Sequence, residues 1–187
     1  MSSKTGPYCA ALEGRFLCYN VGFPKQTITS QMSGDILVGV ISDTHGLLRP
    51  EAVAALRGAD LILHAGDVGK PEVLDELRHL APLTVVRGNV DHGDWALRLP
   101  VSDIVAVGQH SFYMLHDIGE LDLDPPTAGF AAVIFGHSHQ PSIETRDGIL
   151  FLNPGSAGPR RFKLPVSIAR IRVSGGTLDP QIVTLNV

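Results

Sequence analysis

The chain has 187 residues, 44% of them hydrophobic and 18% charged, with a formal net charge of −4 and a pI near 6.0. That length suits one domain with a tail, and a mean hydropathy of +0.15 excludes a disordered polyelectrolyte. No run approaches the ~18 apolar residues of a membrane span, and an acidic chain lacks the Lys/Arg excess of a dedicated nucleic-acid surface. Two cysteines, Cys9 and Cys18, cannot build a disulfide framework or a thiolate zinc site. The eight histidines are the unusual count, and they raise a metal site made of nitrogen and oxygen ligands.

Residues 1–34 differ from the rest. They carry both cysteines and a local charge of +2, against −6 for residues 35–187. No sustained helical or strand period runs through them, and Glu13 and Arg15 interrupt the only stretch that could form a signal-peptide core. They read as an N-terminal tail outside the motif-bearing domain, with Met32 just before the first strand, and the chain reads as cytoplasmic.

From residue 35 the pattern is regular. Residues 36–41 form an apolar run, the mark of a strand covered on both faces. Arg49-Pro50-Glu51 opens a helix that Gly58 ends, and residues 61–64 make the next buried strand. A second helix runs from Pro71-Glu72 to Pro82 with Val73, Leu74, Leu77 and Leu80 on one face, followed by a strand over 83–86. This alternation predicts parallel strands with helical crossovers. Beyond Pro100, residues 104–107 and 111–115 read as a hairpin, and Pro125-Pro126 as the start of a short helix. Strands follow over 132–135, on either side of Arg146-Asp147-Gly148, and over 167–173 and 182–185. The second half reads as mostly antiparallel. The expected fold is a single α/β domain over 35–187 with two packed mixed β-sheets flanked by helices.

The strand ends carry the chemistry. Ser42-Asp43-Thr44-His45-Gly46, His64-Ala65-Gly66-Asp67, Arg87-Gly88-Asn89-Val90-Asp91, Leu115-His116-Asp117 and Gly136-His137-Ser138-His139 each follow an apolar strand. Ligands of open α/β sheets bind outside the carboxyl ends of the strands. In an extended segment, Asp-x-His and His-x-His would send both side chains to one side. Imidazole, carboxylate and amide oxygen without thiolate suit Mn, Fe, Co, Ni or Zn, and seven such groups are enough for a pair of ions.

Asp43-x-His45, Gly66-Asp67, Gly88-Asn89, His116 and Gly136-His137-x-His139, in this order over residues 36–156, resemble the calcineurin-like metallophosphoesterases. Gly88-Asn89-Val90-Asp91, Leu99-Pro100 and Asn153-Pro154-Gly155-Ser156 look like the small phosphodiesterase branch, which the retromer scaffold subunit shares. The resemblance implies a four-layer sandwich and two divalent ions, manganese first, with zinc, iron, cobalt or nickel as alternatives. It implies that Asp43, His45 and His139 hold one ion, that Asn89, His116 and His137 hold the other, and that Asp67 bridges them. A hydroxide between the ions would attack phosphorus and release a phosphomonoester and an alcohol.

Two departures matter. Val90 stands where the wider superfamily has a leaving-group acid, His, so His92 is the replacement candidate. Asp117 follows His116 where relatives tend to have Gly. Arg160 and Arg161 are candidates to clamp a substrate phosphate, although their basic stretch also reads as a solvated face. His64 reads as a buried partner of the ligands, Asp91 as a loop-orienting or plain turn residue, and Trp95 as core. Asn153-Pro154-Gly155-Ser156 reads as a turn packed near the site.

The leading expectation is hydrolysis of a small phosphodiester, with no membrane partner, no dedicated nucleic-acid surface and a homo-oligomer admitted. The competing readings are a non-catalytic protein-binding scaffold of the same fold, and a phosphomonoesterase or nuclease on the same metals.

Overall fold

In the computed structural model the described residues are 9–12, 15–18 and 35–187. The reading of 1–34 as a tail therefore lies largely outside the described residues. Within that segment, β1 (Cys9–Leu12) and β2 (Arg15–Cys18) form an antiparallel pair.

The β-α-β-α-β alternation folds as the apolar runs predict. The strands β3 (Ile36–Ile41), β4 (Leu61–His64) and β5 (Leu83–Val85) are parallel neighbours, joined by α1 (Pro50–Leu56) and α2 (Pro71–Arg78). Both helices begin on a proline, whose fixed φ and missing N–H suit the first turn. The second helix ends two residues before Leu80; backbone bonds from Leu80 and Ala81 to the Leu77 carbonyl tighten the exit into turns.

The second half is more mixed than expected. The hairpin β6 (Ser102–Val107) and β7 (His110–Leu115) is antiparallel, but β8 (Ala132–Ile134) lies parallel to both β7 and β10 (Ile149–Asn153), and β9 (Ser142–Arg146) closes the edge. Every residue of β8 is buried, as parallel strands covered on both faces require. The last two strands, β11 (Ser167–Ser174) and β12 (Thr177–Thr184), return to the first sheet, where β11 pairs antiparallel with β3. The result is two five-stranded mixed sheets, β12-β11-β3-β4-β5 and β6-β7-β8-β10-β9.

Strand alternation sorts the core into layers. Val38, Val40, Leu61 and Leu63 meet Phe112, Met114, Ile134 and Leu152 between the sheets. The other face of the first sheet, with Ile41 and Ile62, packs on Leu56, Val73, Leu74 and Leu77 of the helices, and Trp95 joins that layer as core. The outer face of the second sheet, with Tyr113, Val133 and Phe151, is covered by Phe130 and the segment around Ile118–Leu123. That covering carries a 3-10 turn, Ile118–Glu120, and no α-helix. The helix expected after Pro125-Pro126 is a run of turns: Asp124 caps a first turn by accepting from the Thr127 N–H, and Gly129 at φ +76° ends it. No helix among the described residues is long and apolar enough to cross a membrane.

Candidate metal centre

The register aligns Ile41, His64 and Val85 at one end of the first sheet and brings the ends of β7 and β8 beside them. The loops leaving these strands are laced by backbone bonds: Asp43 N–H to the Gly66 carbonyl (3.0 Å), His45 N–H to Asp67 (2.9 Å), Gly46 N–H to Val68 (2.7 Å) and Gly136 N–H to His116 (2.9 Å). A Cβ on Gly88 would collide with the backbone and carboxylate of Asp67, and one on Gly136 with the hydroxyl of Ser42. Glycine at these positions lets the loops close on the site.

The structure brings all seven expected donors together. Asp43 Oδ1 lies 3.1 Å from His139 Nε2 and 4.0 Å from His45 Nε2, and the two imidazole nitrogens are 3.2 Å apart. A second group gathers His116 Nε2, 3.1 Å from Asn89 Oδ1, with His137 Nδ1 2.9 Å from the same oxygen. Asp67 stands between the groups. Its Oδ2 faces His45 Nε2 at 3.9 Å, and its Oδ1 faces His116 Nε2 at 3.4 Å.

One expectation about these loops is corrected. Asp43, His45, His137 and His139 do not lie on extended backbone. They have φ values of 54°, 48°, 68° and 59°, and Asp67 has 55°. In each x-separated pair two left-handed residues flank a middle one, so the pair converges by a loop conformation and not by strand alternation. Among the described residues, five of the seven non-glycine residues at positive φ belong to the donor set. Such backbone is sparsely populated for non-glycine residues and persists where the surroundings enforce it.

The donors converge as acceptors. Gly66 N–H donates to His64 Nδ1, so His64 carries its proton on Nε2 and donates to Thr44 Oγ1 (3.0 Å), which in turn donates to the Val68 carbonyl. Burial pushes this wholly enclosed imidazole down to about 4, so it stays neutral. His116 donates through Nδ1 to the Ala65 carbonyl (2.7 Å), and its Nε2 faces the oxygens of Asp67 and Asn89, where an ion would take the place of a proton. Burial opposes charge on His116, but its bonds with Asp67 and Ala65 outweigh burial and raise it above the usual imidazole value. Burial likewise opposes ionisation of Asp67, and the bonds from His116 and the Val90 N–H outweigh that and hold its carboxyl low. Burial dominates at His45 and pulls it down. Asp43 Oδ2 accepts the His137 N–H (3.2 Å), while its Oδ1 is buried with no hydrogen-bond partner among the described residues.

A buried carboxylate oxygen without a hydrogen-bond partner, set among imidazole nitrogens, is an environment that suits a cation. Atoms bound to one ion at about 2.0–2.2 Å sit roughly 3–3.5 Å apart, close to the spacings within each group. Asp43, His45 and His139, and Asp43, Asp67 and His116, offer ligand atoms within 4.8 Å of one another. The residues fit divalent metal ions.

Only part of the support around the site was legible in the sequence. Thr44 had no visible signal. Asp91 is buried and joins two loops, accepting from Gly69 N–H and Gly88 N–H (2.8 Å each). Asn153 donates to the Gly136 carbonyl (2.7 Å) and to Ser138 Oγ (3.1 Å), and Ser156 Oγ donates to the Asp43 carbonyl (2.9 Å). The Asn153-Pro154-Gly155-Ser156 turn thus packs under both metal-loop pairs. The two arginines diverge: Arg161 Nη2 reaches His45 Nε2 at 3.4 Å, whereas Arg160 donates to the Val187 carbonyl. Val90 contributes its N–H to Asp67, and His92 is exposed, with no hydrogen bond to the seven donors among the described residues.

Comparison with known proteins gives the same reading. Residues 36–176 match the calcineurin-like phosphoesterase superfamily domain. A probable metallophosphoesterase of Methanothermobacter thermautotrophicus is 37% identical over 160 residues, 79% of this chain and 92% of the relative. An archaeal phosphodiesterase of known structure superposes with a TM-score of 0.67 at 21% identity, over 79% of this chain and all of that one. A Vps29 of Entamoeba histolytica solved with Zn²⁺ superposes with a TM-score of 0.60 at 23% identity, over 81% of this chain and all of that one. The chain belongs to the calcineurin-like phosphoesterase superfamily.

Proposed function

We propose that this chain hydrolyses small organic phosphodiesters with two divalent metal ions, manganese first among Mn, Zn, Fe, Co and Ni. The observation that carries the reading is the split of Asp67, whose two carboxylate oxygens face different donor groups. Asp43, His45 and His139 would hold one ion, and Asn89, His116 and His137 the other. Asp67 would reach both. Two ions in such a site generate a nucleophile from water at neutral pH and neutralise charge on the phosphoryl oxygens.

The chain's own residues do the rest. Buried Asp43, Asp67, His116 and His139 hold their ligand atoms together in one enclosed cluster. Arg161, at the rim beside His45, is placed to orient a phosphate through its planar guanidinium. Val90 carries no proton to give a leaving alkoxide, so aryl and other low-pKa leaving groups should be favoured, with His92 the candidate acid for alkyl ones.

The fold is also that of Vps29, which supports a scaffold as the second reading. A Vps29 has been seen with Zn²⁺, so metal binding alone does not separate the two. Turnover does. Metal-free chain loaded with Mn²⁺ should hydrolyse bis(p-nitrophenyl) phosphate and carry two ions per chain. A folded chain that turns over no phosphodiester with any of the five metals would overturn the enzyme reading in favour of the scaffold.

A further inference from the structure

Two of the seven non-glycine residues at positive φ lie outside the donor set. One is Asp147, which with Gly148 forms the two-residue turn between β9 and β10, where both central residues take positive φ. The other is Phe162 at 52°. Bulky side chains rarely adopt this backbone, and such strain collects at functional sites. Phe162 is also the most exposed large hydrophobic among the described residues, at 94%, so no packing of its ring compensates the conformation. The turn around it holds it instead. The Leu164 N–H donates to the Arg161 carbonyl (3.1 Å). Before the turn, the Gly158 carbonyl accepts from Arg49 Nε (3.2 Å) and Arg160 donates to the Val187 carbonyl (3.0 Å). After it, Val166 bridges to Ser156, and its carbonyl accepts the Leu185 N–H (2.8 Å). Arg161, one residue before Phe162, brings its guanidinium to 3.4 Å from His45 Nε2. A pinned turn thus carries a cation and a bare aromatic ring on consecutive residues at the rim of the donor set.

We infer that Phe162 is a specificity-determining residue: its ring stacks on an aromatic ester group of the diester whose phosphate Arg161 orients. In such a substrate the anion and the ring are close neighbours, as the guanidinium and the phenyl ring are on this turn. An aryl or heteroaromatic group offers a face to stack on, which an alkyl group lacks. The inference rests on the phosphodiesterase reading and narrows its substrate class to diesters that bear an aromatic group.

The test separates the two. Phenyl phosphate and methyl phosphate are titrated by calorimetry into full-length chain loaded with Mn²⁺, beside Phe162→Ala and Phe162→Tyr. The two monoesters share the phosphate and differ in the ring, so the ratio of their affinities reads the ring contact. The parent chain should bind phenyl phosphate about 10-fold more tightly than methyl phosphate, Phe162→Ala should close that gap, and Phe162→Tyr should keep it. Equal affinities for the two monoesters in the parent chain, or an undiminished gap in Phe162→Ala, overturn the inference. Should Phe162→Ala unfold, Phe162→Gly, which suits the left-handed backbone, takes its place. A parent chain that hydrolyses bis(p-nitrophenyl) phosphate yet shows no ring preference overturns the inference alone. One that hydrolyses no diester overturns the phosphodiesterase reading, and the inference with it.

Discussion

Two halves of the donor set are built differently. The side chains of Asp43, His45, Asp67 and His139 are at most 15% accessible. They are fixed from behind by His64 through Thr44, by Asp91, which ties the Gly69 and Gly88 loops, and by Ser156 under the Asp43 carbonyl. Asn89 and His137, by contrast, are exposed and hold each other through side-chain atoms, beside buried His116 and with the His137 N–H donating to Asp43 Oδ2. The inner half is thus braced and enclosed. The outer half is open to solvent and to substrate, and Arg161 stands at the rim of the inner one. An ion in the inner half should be tight and slow to exchange, and one in the outer half weaker and exchangeable.

The contrast can be broken most sharply at Asp67, the residue common to both halves. Asp67→Asn should lower hydrolysis of bis(p-nitrophenyl) phosphate by more than about 100-fold and cost at least one bound ion, read by steady-state rates and metal analysis. Wild-type rate would refute the bridging assignment. A matched pair of variants sharpens it next. His139→Ala should weaken the tighter ion by about 100-fold, whereas His137→Ala should weaken only the looser one, by about 10-fold. Equal effects on both ions would erase the distinction between the halves.

The buried brace has its own signature. His64 is held neutral at about 4, below the ordinary 6.5 that it regains on unfolding. The unfolded chain therefore takes up the proton first as pH falls. Its stabilising contribution is complete above pH 6.5 and declines between 6.5 and 4, by about 3 kcal/mol in all. Denaturant unfolding of metal-free chain across this window should show that loss, and His64→Gln should remove most of the slope. The smallest effect is expected outside both halves, at exposed His92. If it protonates the leaving group, His92→Ala should slow alkyl phosphodiesters by about 10-fold and spare nitrophenyl esters. Equal losses on both substrates would remove it from the reaction.

The sequence made the strand ends readable because each apolar run stops abruptly on Asp, Asn, His or Gly. That pattern is local. It located β3, β4 and β5, their helices, and the seven side chains that the loops bring together. The left-handed backbone at Asp43, His45 and His139 was not readable, because Asp and His tolerate that region without announcing it, as glycine does. Thr44 was opaque as a brace for another reason: it meets His64 20 residues away, and Asp91, readable as either a loop-orienting or a plain turn residue, meets Gly69 22 residues away, so only the assembled loops reveal the bonds. The far end of the chain illustrates the same limit. The strand expected over 182–185 runs back to Thr177 through Pro180, which an edge strand tolerates because its missing N–H is not needed by a further neighbour. The parallel placement of β8 likewise depends on which neighbours flank it.

The account stands on the two halves acting as one site that needs both ions. Its most direct test is a calorimetric Mn²⁺ titration of the metal-free chain, run in parallel with phosphodiester turnover at each point. The account predicts a tight and a weak binding event, one ion each, with turnover rising only as the weak one fills. A single ion per chain, or full turnover once the tight event is complete, would contradict it.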